Sequence, residues 1–174
     1  MFARILMKLH LTRGQKAVAF AYAAVMAVAA GISLMIMSAV NGGTAIPPEP
    51  TLYDNWIVLV GGLAAGVALY VSRGWLGGRG ALGVARAGVA TIIVTCVTAI
   101  LTGLLVVPFY GAIAGPVIVL SEFAANPVIA ASWVGILFAA HMLFGLLRHE
   151  QEAVAHVSAL SQLSALSRAN LYRH

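Results

Sequence analysis

From Ala17 to Pro48 the chain carries no charged residue, and the first part of that run, residues 17–40 (AVAFAYAAVMAVAAGISLMIMSAV), is apolar almost throughout. A helix needs about 20 residues to cross the hydrocarbon of a bilayer. A run of this length has two possible homes: lipid, or the centre of a large soluble core. The rest of the chain decides between them. Of its 174 residues, 61% are hydrophobic and only 9% are charged, whereas a soluble domain carries about 25% charged residues. Mean hydropathy is +0.98. No polar segment is long enough to build a soluble domain around the run, because the longest is the tail after Leu147. The sequence reads as an integral membrane protein. The run also exceeds the roughly 7–15 apolar residues of a signal-sequence core, and its lead-in is long, so a retained span is expected.

Three more apolar segments follow, at 56–72, 87–107 and 128–147. The fold class expected is an all-α, four-transmembrane-helix bundle forming a single membrane domain, 1–174. Trp56 and Tyr70 stand near the two ends of the second span, where amphipathic rings favour the membrane–water boundary. The loop 41–55 (NGGTAIPPEPTLYDN) is too rich in Pro and Gly for regular structure, and 73–86 (RGWLGGRGALGVAR) reads as a glycine-rich basic turn.

The sequence pI is about 9.9, which by itself would suit a polyanionic partner. The distribution of charge argues otherwise. Arg4, Lys8, Arg13 and Lys16 precede the first span; Arg73, Arg79 and Arg86 lie between the second and third; Arg148, Arg168 and Arg173 follow the last. The other connections hold only acids, Glu49 and Asp54 in one and Glu122 in the other. Lys and Arg are retained on the cytoplasmic side during insertion. The pattern therefore predicts a multi-pass protein of the bacterial inner (plasma) membrane with both termini cytoplasmic, and it requires no nucleic acid.

Residues 106–127 (VVPFYGAIAGPVIVLSEFAANP) are apolar but interrupted by Pro108, Gly111, Gly115, Pro116, Glu122 and Pro127. A fifth crossing here would leave the last three arginines outside and place Pro116 in mid-helix, at about 3 kcal/mol or more. The expectation is instead a partly inserted hairpin on the outer side between the third and fourth spans, or a short interfacial helix after Gly115, covered by protein or lining a water-filled cavity.

Both ends are expected to be helical. In residues 1–14, Phe2, Ile5, Leu6 and Leu9 share one face with Arg4 and Lys8 opposite, the pattern of an interfacial amphipathic helix on an anionic surface. Arg4, Lys8, Arg13 and Lys16 are its expected surface anchors. Residues 148–174 read as a cytoplasmic helical tail. Val154, Val157, Leu160, Leu163 and Leu166 recur every third residue, which drifts around a helix and makes a broad sticky face, not a coiled-coil seam. A faint echo relates the two outer connections: each has prolines, an acid and an asparagine before the next span (Asn55, Asn126) and a tryptophan after it (Trp56, Trp133). Tandem hairpins produce this by topology alone.

Chemistry-bearing residues are few. Gly88, Thr91, Thr95, Thr98 and Thr102 recur at steps of three and four along the third span. Gly62 and Gly66 in the second span, and Ala131, Gly135 and Ala139 in the last, are small at every fourth position. Such residues let helix backbones approach closely, so these positions are expected to form a helix-packing face, with a polar path along the threonines as the alternative reading. His141 is the one titratable side chain well inside a span. It is a candidate ligand or proton site, set against the plainer reading of a neutral histidine bonded to a neighbouring helix. A bis-histidine haem would need a second buried histidine, which no other span supplies. Glu122, grouped with Tyr110, Ser121 and Asn126, is a further candidate ligand or proton site, although one carboxylate makes a poor cation site.

Cys96 is the sole cysteine, so no intramolecular disulfide or cysteine metal cluster can form. Phosphate-binding glycine loops, paired metal-spaced histidines and nucleophilic-serine elbows do not occur. No catalytic residues and no metal site are expected, and no particular cofactor is indicated. The leading functional expectation is a non-catalytic small subunit or accessory protein of a larger inner-membrane complex, acting through helix packing on other membrane subunits and through lipid contacts. One alternative is a small transporter or channel component with a path near the threonine face and Glu122. Another is binding of a haem, pigment or quinone through His141.

Overall fold

A computed structural model of the chain describes residues 12–40 and 51–171, with side chains described for 12–39 and 51–156. Five α-helices make up almost all of it: α1 (Arg13–Val40), α2 (Leu52–Ser72), α3 (Gly80–Val106), α4 (Tyr110–Ala125) and α5 (Pro127–Leu171), with one 3-10 turn at Arg73–Trp75. No strand occurs among the described residues. Helices α1, α2, α3 and α5 are long and apolar enough to cross a membrane. Helix α4, at 16 residues, is about 24 Å long, short of the roughly 30 Å of hydrocarbon. The amphipathic lead-in lies mostly outside the described residues; of its anchors, Arg13 and Lys16 belong to α1 itself.

Local chemistry sets where helices begin. Thr12 and Gln15 cap α1 reciprocally: the Thr12 N–H donates to Gln15 Oε1 at 3.0 Å, and the Gln15 N–H donates to Thr12 Oγ1 at 3.3 Å. Thr51 and Asp54 do the same for α2, at 2.8 and 3.2 Å, and Asp54 is buried. Each pair satisfies two N–H groups that a helix start leaves unpaired. Helix α2 therefore starts four residues before the expected Trp56, inside the segment read as an irregular loop. Helix α3 likewise starts at Gly80 and not at residue 87, so Arg86 rides on the helix.

Alanine and valine make up most of the interior, around a few large side chains. Ala21, Val25 and Ala29 of α1, Ala65, Ala68 and Leu69 of α2, Ala90 and Val94 of α3, and Trp133, Leu137, Ala140 and Phe144 of α5 form one cluster. Larger residues such as Phe20, Leu63, Ile92, Ile100, Val134 and Phe138 face outward. Helix α1 packs extensively on both α2 and α5, and α2 packs on α3. Helix α5 touches α3 only lightly, so the seam between them is loosely closed. Gly62 and Gly66 face Met26 of α1: a Cβ at Gly62 would lie 3.1 Å from the Met26 carbonyl oxygen, and one at Gly66 would lie 3.0 Å from its Sδ.

The stretch after α3 corrects the expected hairpin. It is one continuous helix that starts at Tyr110, not after Gly115, and it includes Pro116. Gly103 and Gly111 meet backbone to backbone, and a Cβ on either would overlap the other's carbonyl; Gly115 is pressed in the same way against the carbonyl of Ala99. This close antiparallel contact holds α4 on α3. The reversal itself is a three-residue turn in which the Tyr110 N–H donates to the Pro108 carbonyl at 2.8 Å. Phe109 at its centre has φ 64° and ψ −61°, a rare and strained turn conformation for a residue with a side chain.

Candidate functional site

Two polar features stand out against the apolar helices. The first joins the turn between α2 and α3 to α5. His141 is 3% exposed, and its Nδ1 accepts a hydrogen bond from the Gly77 N–H at 3.0 Å. Two turns further along α5, Arg148 donates to the Gly74 carbonyl at 2.7 Å. One turn beyond that, Glu152 pairs with Arg79 at 3.5 Å, an exposed contact of small energetic weight. Positions 141, 148 and 152 share one helix face, so the turn lies lengthwise along α5. Gly77 makes this possible. Its φ is +77°, and a Cβ there would come within 2.8 Å of the Phe144 backbone. Leu76 is buried beside it in the core, and the start of α1 joins the same end, where Gly14 lies under Glu150 and Leu147.

The His141 geometry has a chemical consequence. A neutral imidazole that accepts at Nδ1 carries its proton on Nε2. Metal-ligating histidines show the reverse arrangement, donating from one ring nitrogen to an outer partner while the other binds the metal. With Nδ1 engaged as an acceptor, His141 ties α5 to the turn between α2 and α3.

The second feature is the threonine face of α3. Thr91 Oγ1 donates to the Ala87 carbonyl at 2.9 Å, and Thr95 Oγ1 donates to the Thr91 carbonyl at 2.7 Å. Thr95 Oγ1 also accepts from the Trp133 indole N–H at 2.8 Å, which ties α5 to α3 across their thin seam. Beyond Thr95 the pattern changes. The hydroxyls of Thr98 and Thr102 are buried without a hydrogen-bond partner, and both line a cavity of about 340 Å³. Its walls come from α1 (Ile32, Ser33, Met37), α2 (Tyr53, Ile57), α4 (Ile118, Val119, Phe123) and Trp133 of α5. None of the described lining residues is a carboxylate, lysine, arginine or histidine.

Other expected site residues are not brought together. Tyr110 and Glu122 lie at opposite ends of α4, about 18 Å apart along the helix. Tyr110 is exposed, the Ser121 hydroxyl bonds to the carbonyl of Ile118, and Glu122 does not line the cavity. Of the group read around Glu122, Tyr110 is therefore set apart, while Ser121 and Asn126 stay with Glu122 at the C-terminal end of α4. Gly88 and Gly135 face open space, and Ala131 and Ala139 are exposed. These four leave the packing face formed within the chain and point away from it. Among the described residues no three His, Cys, Asp or Glu side chains converge on a possible metal site.

Several residues that matter here carried weak signals. Gly111 and Gly115 repeat the four-residue small spacing, as do Ala99 and Gly103, a signal passed over when the two glycines were read as interruptions. The acceptor role of Thr95 toward Trp133, and of His141 toward Gly77, depended on tertiary neighbours. Comparison with protein-family models, with curated proteins and with solved structures finds no match for the chain. The structure defines a class nonetheless: among the described residues the chain is all-helical, with four helices able by length and composition to cross a membrane.

Proposed function

We propose that this chain is a four-helix bundle of the bacterial inner membrane, and that it serves as a non-catalytic subunit or accessory protein of a larger membrane complex. The apolar outward faces and alanine-rich interior support membrane insertion, because lipid solvates large aliphatic side chains while small residues let helices approach. The gathering of Arg13, Lys16, Arg73, Arg79 and Arg148 at one end supports a cytoplasmic placement for that end and for both termini. Helix α4 then lies at the outer side, partly inserted and held by its glycine contact with α3.

The observation that carries the subunit reading is the outward stripe Ala131–Gly135–Ala139 on α5. An added Cβ at Gly135 meets nothing within 4 Å. A small-residue stripe facing away from its own chain suits close approach by a helix of another subunit, and the long continuation of α5 through Leu171 offers a second contact beyond the membrane. A transport path is less well supported, since Glu122 stands off the cavity and the cavity wall holds no charge.

The test is Gly135→Leu. In mild detergent, the parent chain should migrate as part of a larger assembly, and the leucine variant should run alone with unchanged thermal unfolding. A parent chain that is monomeric at every concentration contradicts the proposal.

A further inference from the structure

We infer that the cavity between α1, α2, α3 and α4 is a binding site for a neutral, membrane-soluble molecule bearing carbonyl oxygens, with a flat ring such as a quinone as the occupant that fits it best. The inference rests on the membrane reading only in that the ligand reaches the site from lipid.

Helix α3 supplies its own control. Threonine in an apolar helix ordinarily satisfies its hydroxyl on the carbonyl one turn back, and Thr91 and Thr95 do so. Thr98 and Thr102, on the same face of the same helix, do not, and their hydroxyls are buried. Both border the cavity, beside Thr95, whose hydroxyl is already engaged with the Thr91 carbonyl and the Trp133 indole. A buried donor left unpaired is costly, so a pair of them one turn apart calls for acceptors in the space they face. Carbonyl oxygens provide those acceptors without bringing charge into an uncharged site. The volume, about 340 Å³, falls in the range of small-molecule sites, which are mostly apolar with a few placed polar groups. Tyr53, Phe123 and Trp133 line it, and aromatic walls favour a planar ring by offset stacking. A lipid acyl ester presents the same carbonyl chemistry on a flexible chain, and the experiment separates the two sources.

Trp133 reports on the site. With Trp56 and Trp75 changed to Phe, the purified chain in a maltoside detergent, which has no carbonyl, is titrated with menadione while Trp133 fluorescence is followed. Saturable quenching is expected. Thr98→Val with Thr102→Val keeps the shape, removes both donors, and should weaken menadione binding about ten-fold without lowering the thermal unfolding temperature. Val119→Phe fills the cavity and should abolish saturable quenching. Methyl laurate and dodecane are then added as competitors. Displacement by methyl laurate but not dodecane assigns the site to carbonyl lipophiles including acyl esters, and displacement by neither restricts it to ring carbonyls. Quenching that stays linear, binding unmoved by the double valine variant, or displacement by dodecane as effective as by methyl laurate overturns the inference. Release of the chain from membranes by an alkaline carbonate wash would instead refute the membrane reading.

Discussion

His141 and Gly77 are 64 residues apart in sequence, and the Gly77 N–H donates to the His141 imidazole at 3.0 Å. That bond, made at a buried site, fixes the turn between α2 and α3 against the side of α5. Both residues are constrained, Gly77 by its positive φ and close approach, His141 by the need for an acceptor at that point.

Gly77→Ala should therefore be among the most damaging small substitutions in the protein. The backbone conformation alone costs a residue with a side chain about 1–3 kcal/mol, and the added methyl collides with the Phe144 backbone. The prediction is a clear fall in thermal unfolding temperature in detergent. The neighbouring Gly74→Ala, where a Cβ meets open space, should have little effect.

His141→Leu leaves the Gly77 N–H buried without an acceptor, at a cost of about 1–3 kcal/mol. His141→Asn, whose side-chain carbonyl can accept, should recover part of it. Neither variant should change the visible absorption spectrum of the purified protein. A band lost from the parent on substitution would reverse the structural reading and restore His141 as a cofactor ligand.

Two glycines of similar sequence setting should respond with opposite sign. Gly111→Ala forces α4 away from α3 at the Gly103 contact, and it should increase protease cleavage between residues 107 and 126 and lower stability. Gly88→Ala places a methyl in open space on a helix and should raise stability by about 0.5–1 kcal/mol. Limited proteolysis and thermal unfolding together check both.

The Trp133–Thr95 bond is the one side-chain to side-chain hydrogen bond across the α3–α5 seam among the described residues. Thr95→Val should destabilise the chain by about 1–3 kcal/mol by orphaning the indole N–H, and Thr95→Ser should be nearly neutral. A red shift of Trp133 fluorescence confined to the valine variant would confirm that the seam opens there.

The sequence disclosed the helices able to cross a membrane because uncharged length is a local property, and it disclosed the threonine periodicity for the same reason. Helix starts were not read: the spans were expected from residues 17 and 56, whereas Thr12 with Gln15 and Thr51 with Asp54 start the helices earlier. What could not be read was which way each face points. Gly62 and Gly88 are both small and fall in similar patterns, yet one meets Met26 and the other meets nothing, a difference set by packing angles. Glu122 and Tyr110 looked like partners because both flank an interrupted segment; a continuous helix through Pro116 separates them. The cavity has no signature in the sequence, since it is bounded by five helices and recognisable only through two hydroxyls that fail to pair.

The most direct test of the account is the sidedness of its two ends. Cys96 is replaced by Ser, and single cysteines are placed at Gly74, at Phe109 and at Ser167, then exposed in intact spheroplasts to a membrane-impermeant maleimide. Labelling of Phe109→Cys from outside, with Gly74→Cys and Ser167→Cys reached only after permeabilisation, is the predicted result. Labelling of the residue 167 cysteine from outside, or of positions 74 and 109 from the same side, would contradict it.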